Sequence, residues 1–423
     1  MIDTVLNILK GKLFKNLGIY TIVNFINSSI PFLLLPFLTN YLSTAEYAVV
    51  DIFNTISFIF IPLVGLNIVS SILRFYYDDV DFKSFLSTII SFLLIFGIII
   101  IIVFFVFLHF SEPNLLGEGV PNNTILYALI YAFCSQIIES LLSLLRGEEN
   151  PVYYGIVKIS KTIVDLSFSL YFVAFLTMGW EGRVYAMLIG TSTFAVFSLI
   201  YLFKKVKINL KINKSYLKIA FSYSFPLILH SLGGYVISFS DRFIILHFLG
   251  KDQVGLYAVA YQVGMIMSFA NNSFNQAWTP YLFKRLKGNN DLIDKGLHRF
   301  NYGYFIFMII LALLIYLCTP IIYRLFINEN FIVDYKIVLW VLIGYALNGM
   351  YKIVVNFLFF YKKTKNLALI TFSAALCNIA FCILLVPNIG ILGGSISTTI
   401  AFFLMFALVY IHYLKIYKNQ QIK

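Results

Sequence analysis

The sequence predicts an all-α polytopic membrane protein, with about twelve transmembrane helices in two six-helix lobes around a central cavity. Three observations carry this. Hydrophobic residues make up 60% of the 423-residue chain and charged residues only 12%, against roughly 45–50% and roughly 25% in soluble domains. The apolar runs are continuous and long, as in 85–110, and do not alternate with the period of two that a β-barrel strand needs. The basic residues gather in every second connection, as the positive-inside rule requires of helices that cross a bilayer repeatedly. A soluble enzyme, a disordered chain and a fibrous repeat are excluded, because a globule of this size cannot hide so much apolar surface.

A spanning helix needs about 20 apolar residues, and the chain supplies such runs in order. Residues 1–18 are basic and amphipathic, without the small-residue cleavage site of a secretory signal. They read as a helix on the cytoplasmic membrane face. The first span, 16–39, is polar and bendable through Asn24, Asn27, Pro31 and Pro36. The second, 46–73, closes at Arg74, and the third and fourth are 85–110 and 122–145. The fifth, 152–176, follows an Asn150 N-cap and a proline, Pro151, at the first helical turn. The sixth, 184–203, follows the turn at Gly179. In the seventh, 218–249, Pro226 predicts a kink and Gly233-Gly234 close packing or bending. The eighth, 254–282, ends on Trp278, read as an interfacial anchor. Runs 299–326, 335–361, 366–386 and 391–416 complete the twelve.

Of the 31 Lys and Arg residues, 23 fall at the two ends and in the even-to-odd connections, 4 in the odd-to-even ones, and 4 inside spans. Both termini are therefore expected in the cytoplasm. The net charge of +12 reads as topology and contact with anionic lipid headgroups, not nucleic-acid binding, since no soluble basic domain is present. The densest basic stretch falls at mid-chain. It divides the chain into an N-terminal lobe (1–203), a basic cytoplasmic linker (204–217) and a C-terminal lobe (218–423). The halves echo one another: Gly179-x-x-Gly182 before the sixth span matches Gly390-x-x-Gly393 before the twelfth. Each half has an even number of spans, which places the pseudo-two-fold axis along the membrane normal.

Charges inside spans cost about 2.5–3.5 kcal/mol each and are functional candidates by default. On the fifth span, Lys158, Lys161 and Asp165 lie on one stripe. Lys161 and Asp165, at i,i+4, are placed to pair, leaving Lys158 as net positive charge in an anion-binding stripe or snorkelling to the interface. Arg74 is either a helix-end cation or a phosphate clamp. On the seventh span, His230 and Asp241 share a face, while Asp241 and Arg242 point about 100° apart, so that each needs its own partner. Asp241 and His230 are candidates for coupling, or Asp241 for a structural charge pair. Asp51 and Glu139 are the remaining intramembrane acids, lining a cavity or tying helices together. The cysteines, Cys134, Cys318, Cys377 and Cys382, lack metal-site spacing. No nucleotide-binding loop, zinc-protease motif or convincing triad occurs, so neither an enzyme nor a cofactor or metal is expected. Transport by such a chain would draw on an ion gradient (proton or sodium), the membrane potential or downstream consumption of product.

Several stretches carry a resemblance: IPFLLLPFLTNYLSTAEY at 30–47, the second-span ending at Arg74 and Tyr76, FPLILHSLGGYVISFSDRFIILHFLG at 225–250, VGLYAVAYQVG at 254–264, AWTP at 277–280 and VPNIGILGGSIS at 386–397. In these the chain resembles the multidrug/oligosaccharidyl-lipid/polysaccharide exporter superfamily, and within it the polysaccharide-transporter branch of O-antigen and capsule repeat-unit flippases. The resemblance covers essentially the whole chain and rests on distributed pattern. It implies a MATE-like fold in the bacterial inner membrane. The implied cargo is an undecaprenyl-pyrophosphate-linked oligosaccharide moved between leaflets by alternating access, in lipopolysaccharide or capsule synthesis. Membrane lipids, a polysaccharide polymerase and a chain-length regulator are the implied partners. In that setting Lys158, Lys161, Arg74, Arg242, Asn24 and Asn27 are expected to bind pyrophosphate and sugar. Asp165, Asp241, His230, Asp51 and Glu139 are expected to couple or pair charge, and Pro31, Pro36, Pro226, Gly233 and Gly234 to act as hinges. A multidrug cation antiporter of the same fold and a lipid II flippase remain open. The first would favour unpaired carboxylates in its cavity, and the second typically has extra spans.

Overall fold

The computed structural model describes residues 19–421 except 20, 21, 25, 28, 29, 31, 79, 113, 114, 118, 289–291 and 362. Pro31 lies outside the described residues. Those described are almost all helical. Short helical stretches between 19 and 33 lead into α1 (Leu35–Tyr41), with Pro36 in its first turn, where the missing N–H costs nothing. There follow α2 (Thr44–Val64), α3 (Ser70–Phe75), α4 (Phe82–Phe110), α5 (Asn123–Gly147), α6 (Pro151–Ser169), α7 (Gly179–Tyr201), α8 (Lys214–Phe239) and α9 (Asp241–Leu249). The remainder is α10 (Lys251–Gly264), α11 (Ile266–Gly288), α12 (Lys295–Phe326), α13 (Lys336–Phe360), α14 (Thr364–Ile389) and α15 (Ile391–Gln421). Wider π turns close α6 (Leu170–Phe175) and α7 (Leu202–Val206).

Among the described residues nine helical segments are long and apolar enough to span a bilayer, or ten when α10 and α11, bent by 40°, count as one. Two of the twelve expected spans fall short for plain reasons. The first runs through undescribed positions, and α6 carries Lys158, Lys161 and Asp165 within 19 residues. Three expected continuous spans are interrupted. The second breaks at residues 65–69, where Leu66 and Asn67 take left-handed φ of 47° and 53°. Asn tolerates that region, whereas Leu is strained there by about 1–3 kcal/mol. The seventh runs unbroken as helix through Pro226 and is interrupted instead at Ser240. The eighth is interrupted at Met265.

The chain packs as two compact units. One holds the described residues of Met1–Ser28 with Val49–Leu232, the other those of Ser29–Ala48 with Gly233–Lys423. This differs from the expected division at 204–217. The first half of α8 packs Ala220, Tyr216 and Phe221 onto the first unit's core. The linker is tied to α4 by bonds from the Asn209 and Asn213 N–H groups to Ser87 Oγ and Thr88 Oγ1, at 3.1 and 3.2 Å. That core is built from Ile68, Ile72, Phe85, Leu86, Ile89, Leu93, Leu141 and Leu145, all essentially inaccessible. The second unit buries Ile245, Tyr257, Tyr261, Val354, Phe357 and Tyr413. By contrast Ile95, Ile98, Ile102 and Phe105 on α4, and Ile306, Ile309, Leu313 and Leu317 on α12, stay exposed. An aqueous protein would not tolerate such belts, and a multi-pass membrane protein needs them against acyl chains.

The glycine repeat is realised physically. Gly179 and Gly390 both take positive φ, 60° and 68°. Gly182 and Gly393 both let the new helix lie against the preceding one. A Cβ would meet Phe172 Cβ at 3.0 Å in the first case and the Leu385 carbonyl carbon at 2.6 Å in the second.

Candidate functional site

In the first unit, α6 presents its polar stripe to the first span and to α5. Asn150 caps α6, accepting from the Tyr153 N–H at 3.3 Å, and Pro151 occupies the first turn. Tyr154, Lys158 and Thr162 recur every four residues and therefore share one face. They meet Asn24 and Asn27, three residues apart. Lys158 Nζ donates to Asn24 Oδ1 at 2.8 Å, Tyr154 Oη to the same oxygen at 3.0 Å, and Thr162 Oγ1 to Asn27 Oδ1 at 2.7 Å. Three expected binding residues, Lys158, Asn24 and Asn27, are thus brought together. Lys161, one turn on, sets its ammonium 5.3 Å from the centre of the Tyr131 ring.

The expected Lys161–Asp165 pair does not form. Asp165 instead holds the guanidinium of Arg183 on α7, and Ser169 Oγ completes the cluster, 2.6 Å from Arg183 Nη1. Both charges are nearly inaccessible. The physical reason is geometry across helices. Gly190 lets α7 approach the Asp165 backbone within a Cβ contact of 3.3 Å, and Arg183 brings a planar fork with several donors, where Lys161 would bring a point charge. The stripe therefore keeps two ammonium groups, not one. Among the described residues no carboxylate pairs with Lys158 or Lys161, and their polar partners are an amide oxygen and aromatic rings. Arg183, counted as a loop residue from sequence, is the functional neighbour that sequence reasoning missed. Its place just after the Gly179 turn, on the face that meets α6, was the available signal.

The other candidates separate. Arg74 is exposed and pairs with Asp78 at 2.8 Å, which answers its charge locally. Glu139 pairs with Arg146 further along α5, and Asp51 is half-buried on α2. In the second unit Asp241 and Arg242 take each other as well as partners of their own. They bond each other at 2.6 Å, since two long side chains that leave one helix about 100° apart can still turn their charged ends together. Arg242 lies 4.1 Å from the Tyr261 ring centre, and Asp241 Oδ2 also accepts from Tyr257 Oη and, at 3.3 Å, from Thr398 Oγ1. This cluster is buried and electrically closed, which suits a structural pair. The His230 side chain lies outside the described residues. Gly233 packs against Thr371, while Gly234 faces open space. Trp278 is no interfacial anchor. It is buried, stacked on Phe300 at 4.6 Å.

Comparison with known proteins follows the same outline. A family model described as polysaccharide biosynthesis protein matches residues 13–286, and the MatE model matches residues 226–384. An uncharacterized membrane protein of Haemophilus influenzae is 27% identical over 92% of each chain. A putative O-antigen transporter of Shigella flexneri is 24% identical over 74% of this chain and 76% of its own. Among solved structures, a multidrug resistance MATE family transporter in an inward-facing conformation superposes with a TM-score of 0.73 at 15% identity, covering 95% of both chains. The lipid II flippase MurJ, inward closed, superposes with a TM-score of 0.72 at 15% identity, covering 97% of this chain and 91% of its own. At these identities the superpositions establish a shared MATE-like fold.

Proposed function

From the premise that the chain belongs to the polysaccharide biosynthesis protein family, within a fold shared by membrane transporters and flippases, we propose that it flips a polyprenyl-diphosphate-linked oligosaccharide across the bacterial inner membrane. One observation carries the reading: Arg183 occupies Asp165, so that among the described residues no carboxylate answers Lys158 or Lys161 on α6. A diphosphate supplies the missing negative charge, and charge-assisted hydrogen bonds from ammonium groups are the strong kind. Asn24, Asn27 and Tyr154 add amide and phenol groups suited to the first sugar. The putative O-antigen transporter of Shigella flexneri is the relative whose description fits this cargo. Both termini are assigned to the cytoplasm by the basic connections. A proton or sodium gradient, or consumption of the product, supplies direction. Polymerase and chain-length regulator are the partners the same pathway implies.

Likeness of fold keeps two alternatives, lipid II flipping and multidrug cation antiport. A stripe of two lysines with no carboxylate partner among the described residues repels an organic cation, which weighs against the second.

The test is flipping of a prenyl-diphosphate-linked glycan by the purified chain in proteoliposomes. Lys161→Met is expected to lower the rate about tenfold or more, as loss of one charge-assisted contact does, with unchanged protein yield and melting temperature. Wild-type flipping by that variant would overturn the assignment.

A further inference from the structure

A second polar constellation lies in the second unit. On α13, Asn348, Lys352 and Asn356 recur every four residues. On α11, Ser268, Asn272, Asn275 and Gln276 share a face. The two rows meet. Lys352 Nζ donates to Asn272 Oδ1 at 2.6 Å, and Asn356 Nδ2 donates to Asn275 Oδ1 at 2.7 Å. Close approach is built in one turn away, where Gly349 leaves room for Asn271. A Cβ at that glycine would stand 2.4 Å from Asn271 Oδ1. Asn271 itself is buried and donates to the Tyr345 carbonyl at 2.7 Å, anchoring the helix pair.

The constellation is open in both charge and hydrogen bonding. Among the described residues no carboxylate pairs with Lys352, whose polar partner is one neutral amide oxygen. Asn272 and Gln276 are exposed, and neither the Gln276 side chain nor Asn275 Nδ2 has a partner among the described residues. A lysine and a row of amides turned toward acyl chains would be costly. Such groups inside a membrane face protein, water or ligand. An ammonium asks for an anion. Planar amides, with donor and acceptor side by side, match vicinal hydroxyls. The absence of acids among these groups disfavours a cation.

We propose that Lys352 with Asn272, Asn275, Asn356 and Gln276 forms a second subsite, which binds an anionic group carried on a hydroxyl-rich glycan. It rests on the reading that the cargo is an anionic lipid-linked glycan. Two sources share that chemistry: an acidic sugar within the oligosaccharide, and the sugar–diphosphate junction.

The experiment uses the full chain in lipid nanodiscs and calorimetric titration with three probes: a uronic-acid disaccharide, its uncharged methyl ester, and a prenyl-diphosphate-linked N-acetylglucosamine. Wild type is expected to prefer the acid to the ester. Lys352→Met removes that preference, weakening the acid about tenfold or more, while Lys161→Met leaves it intact. If Lys352→Met instead weakens only the diphosphate probe, the subsite holds with the junction as its anion. Asn272→Asp provides a variant that stays folded, because it places a carboxylate at the existing 2.6 Å contact and answers the ammonium internally. It too is expected to lose selection for the anion. Unchanged binding of both anionic probes by Lys352→Met and Asn272→Asp overturns the proposal. Loss at Lys352 with no effect of Lys161→Met on any probe or on flipping would sink the diphosphate stripe and leave this subsite standing.

Discussion

Arg183 decides the electrostatics of α6 by removing Asp165 from the account. A carboxylate left alone at that depth faces a desolvation penalty that no lipid can relieve. Removing one partner of a buried pair costs about 3–5 kcal/mol, whereas replacing both by apolar groups of similar size is often neutral. Arg183→Met is therefore expected to lower the melting temperature of the detergent-solubilised chain sharply, with the double variant Arg183→Met/Asp165→Leu recovering most of the loss. A single variant melting like wild type would mean that Asp165 has found another partner, Lys161 first among them. The stripe of Lys158 and Lys161 was legible in the sequence, because a three-residue spacing fixes azimuth on one helix. The Arg183–Asp165 pair was not, because it joins two helices, and nothing in the spacing says which residue of a neighbour arrives opposite. The Asp241–Arg242 bond was hidden for a related reason: spacing fixes where two side chains leave a helix, not where their charged ends meet.

Elements were more legible than their interruptions. Apolar runs marked the position of nearly every long helix, and the paired Gly-x-x-Gly turns marked a repeat that the backbone realises twice. The breaks at 65–69 and Met265 lie at local helix breakers, Gly65 with Asn67 and Gly264, whereas the one at Ser240 has no such neighbour. Pro226, the residue a kink would be read from, sits inside unbroken helix. The glycines differ in ways only structure reveals. Gly393→Ala drives a methyl into the Leu385 carbonyl carbon, 2.6 Å away, and is expected to cost about 1–3 kcal/mol as overpacking does. Gly234→Ala meets nothing within 4 Å and is expected to hold or raise stability by up to about 1 kcal/mol, since glycine is the weaker helix former. Thermal unfolding of the two variants checks the contrast. Flipping assays on Gly234→Ala then test its expected role as a hinge: slower turnover at undiminished stability marks one, and wild-type turnover removes Gly234 from the set.

Over the whole molecule, two apolar belts and a segregated charge pattern constrain orientation more strongly than any single site does. The 23 basic residues at the ends and even-to-odd connections, against 4 in the others, weigh cumulatively, because each Lys or Arg near an anionic leaflet contributes about 1 kcal/mol. The pattern needs no knowledge of the fold, which is why the class was readable from the chain alone and why sidedness is an expectation drawn from the same count. The division into units was not readable there, since α2 and α8 each run across it. Sidedness has a direct measurement. In a cysteine-free background, single cysteines replacing Lys211 and Lys418 are expected to react with a membrane-impermeant maleimide only in inverted vesicles, and one replacing Asn330, in the connection between α12 and α13, only in intact cells. Labelling of positions 211 and 330 from the same side would break the alternation on which the inward-basic assignment depends.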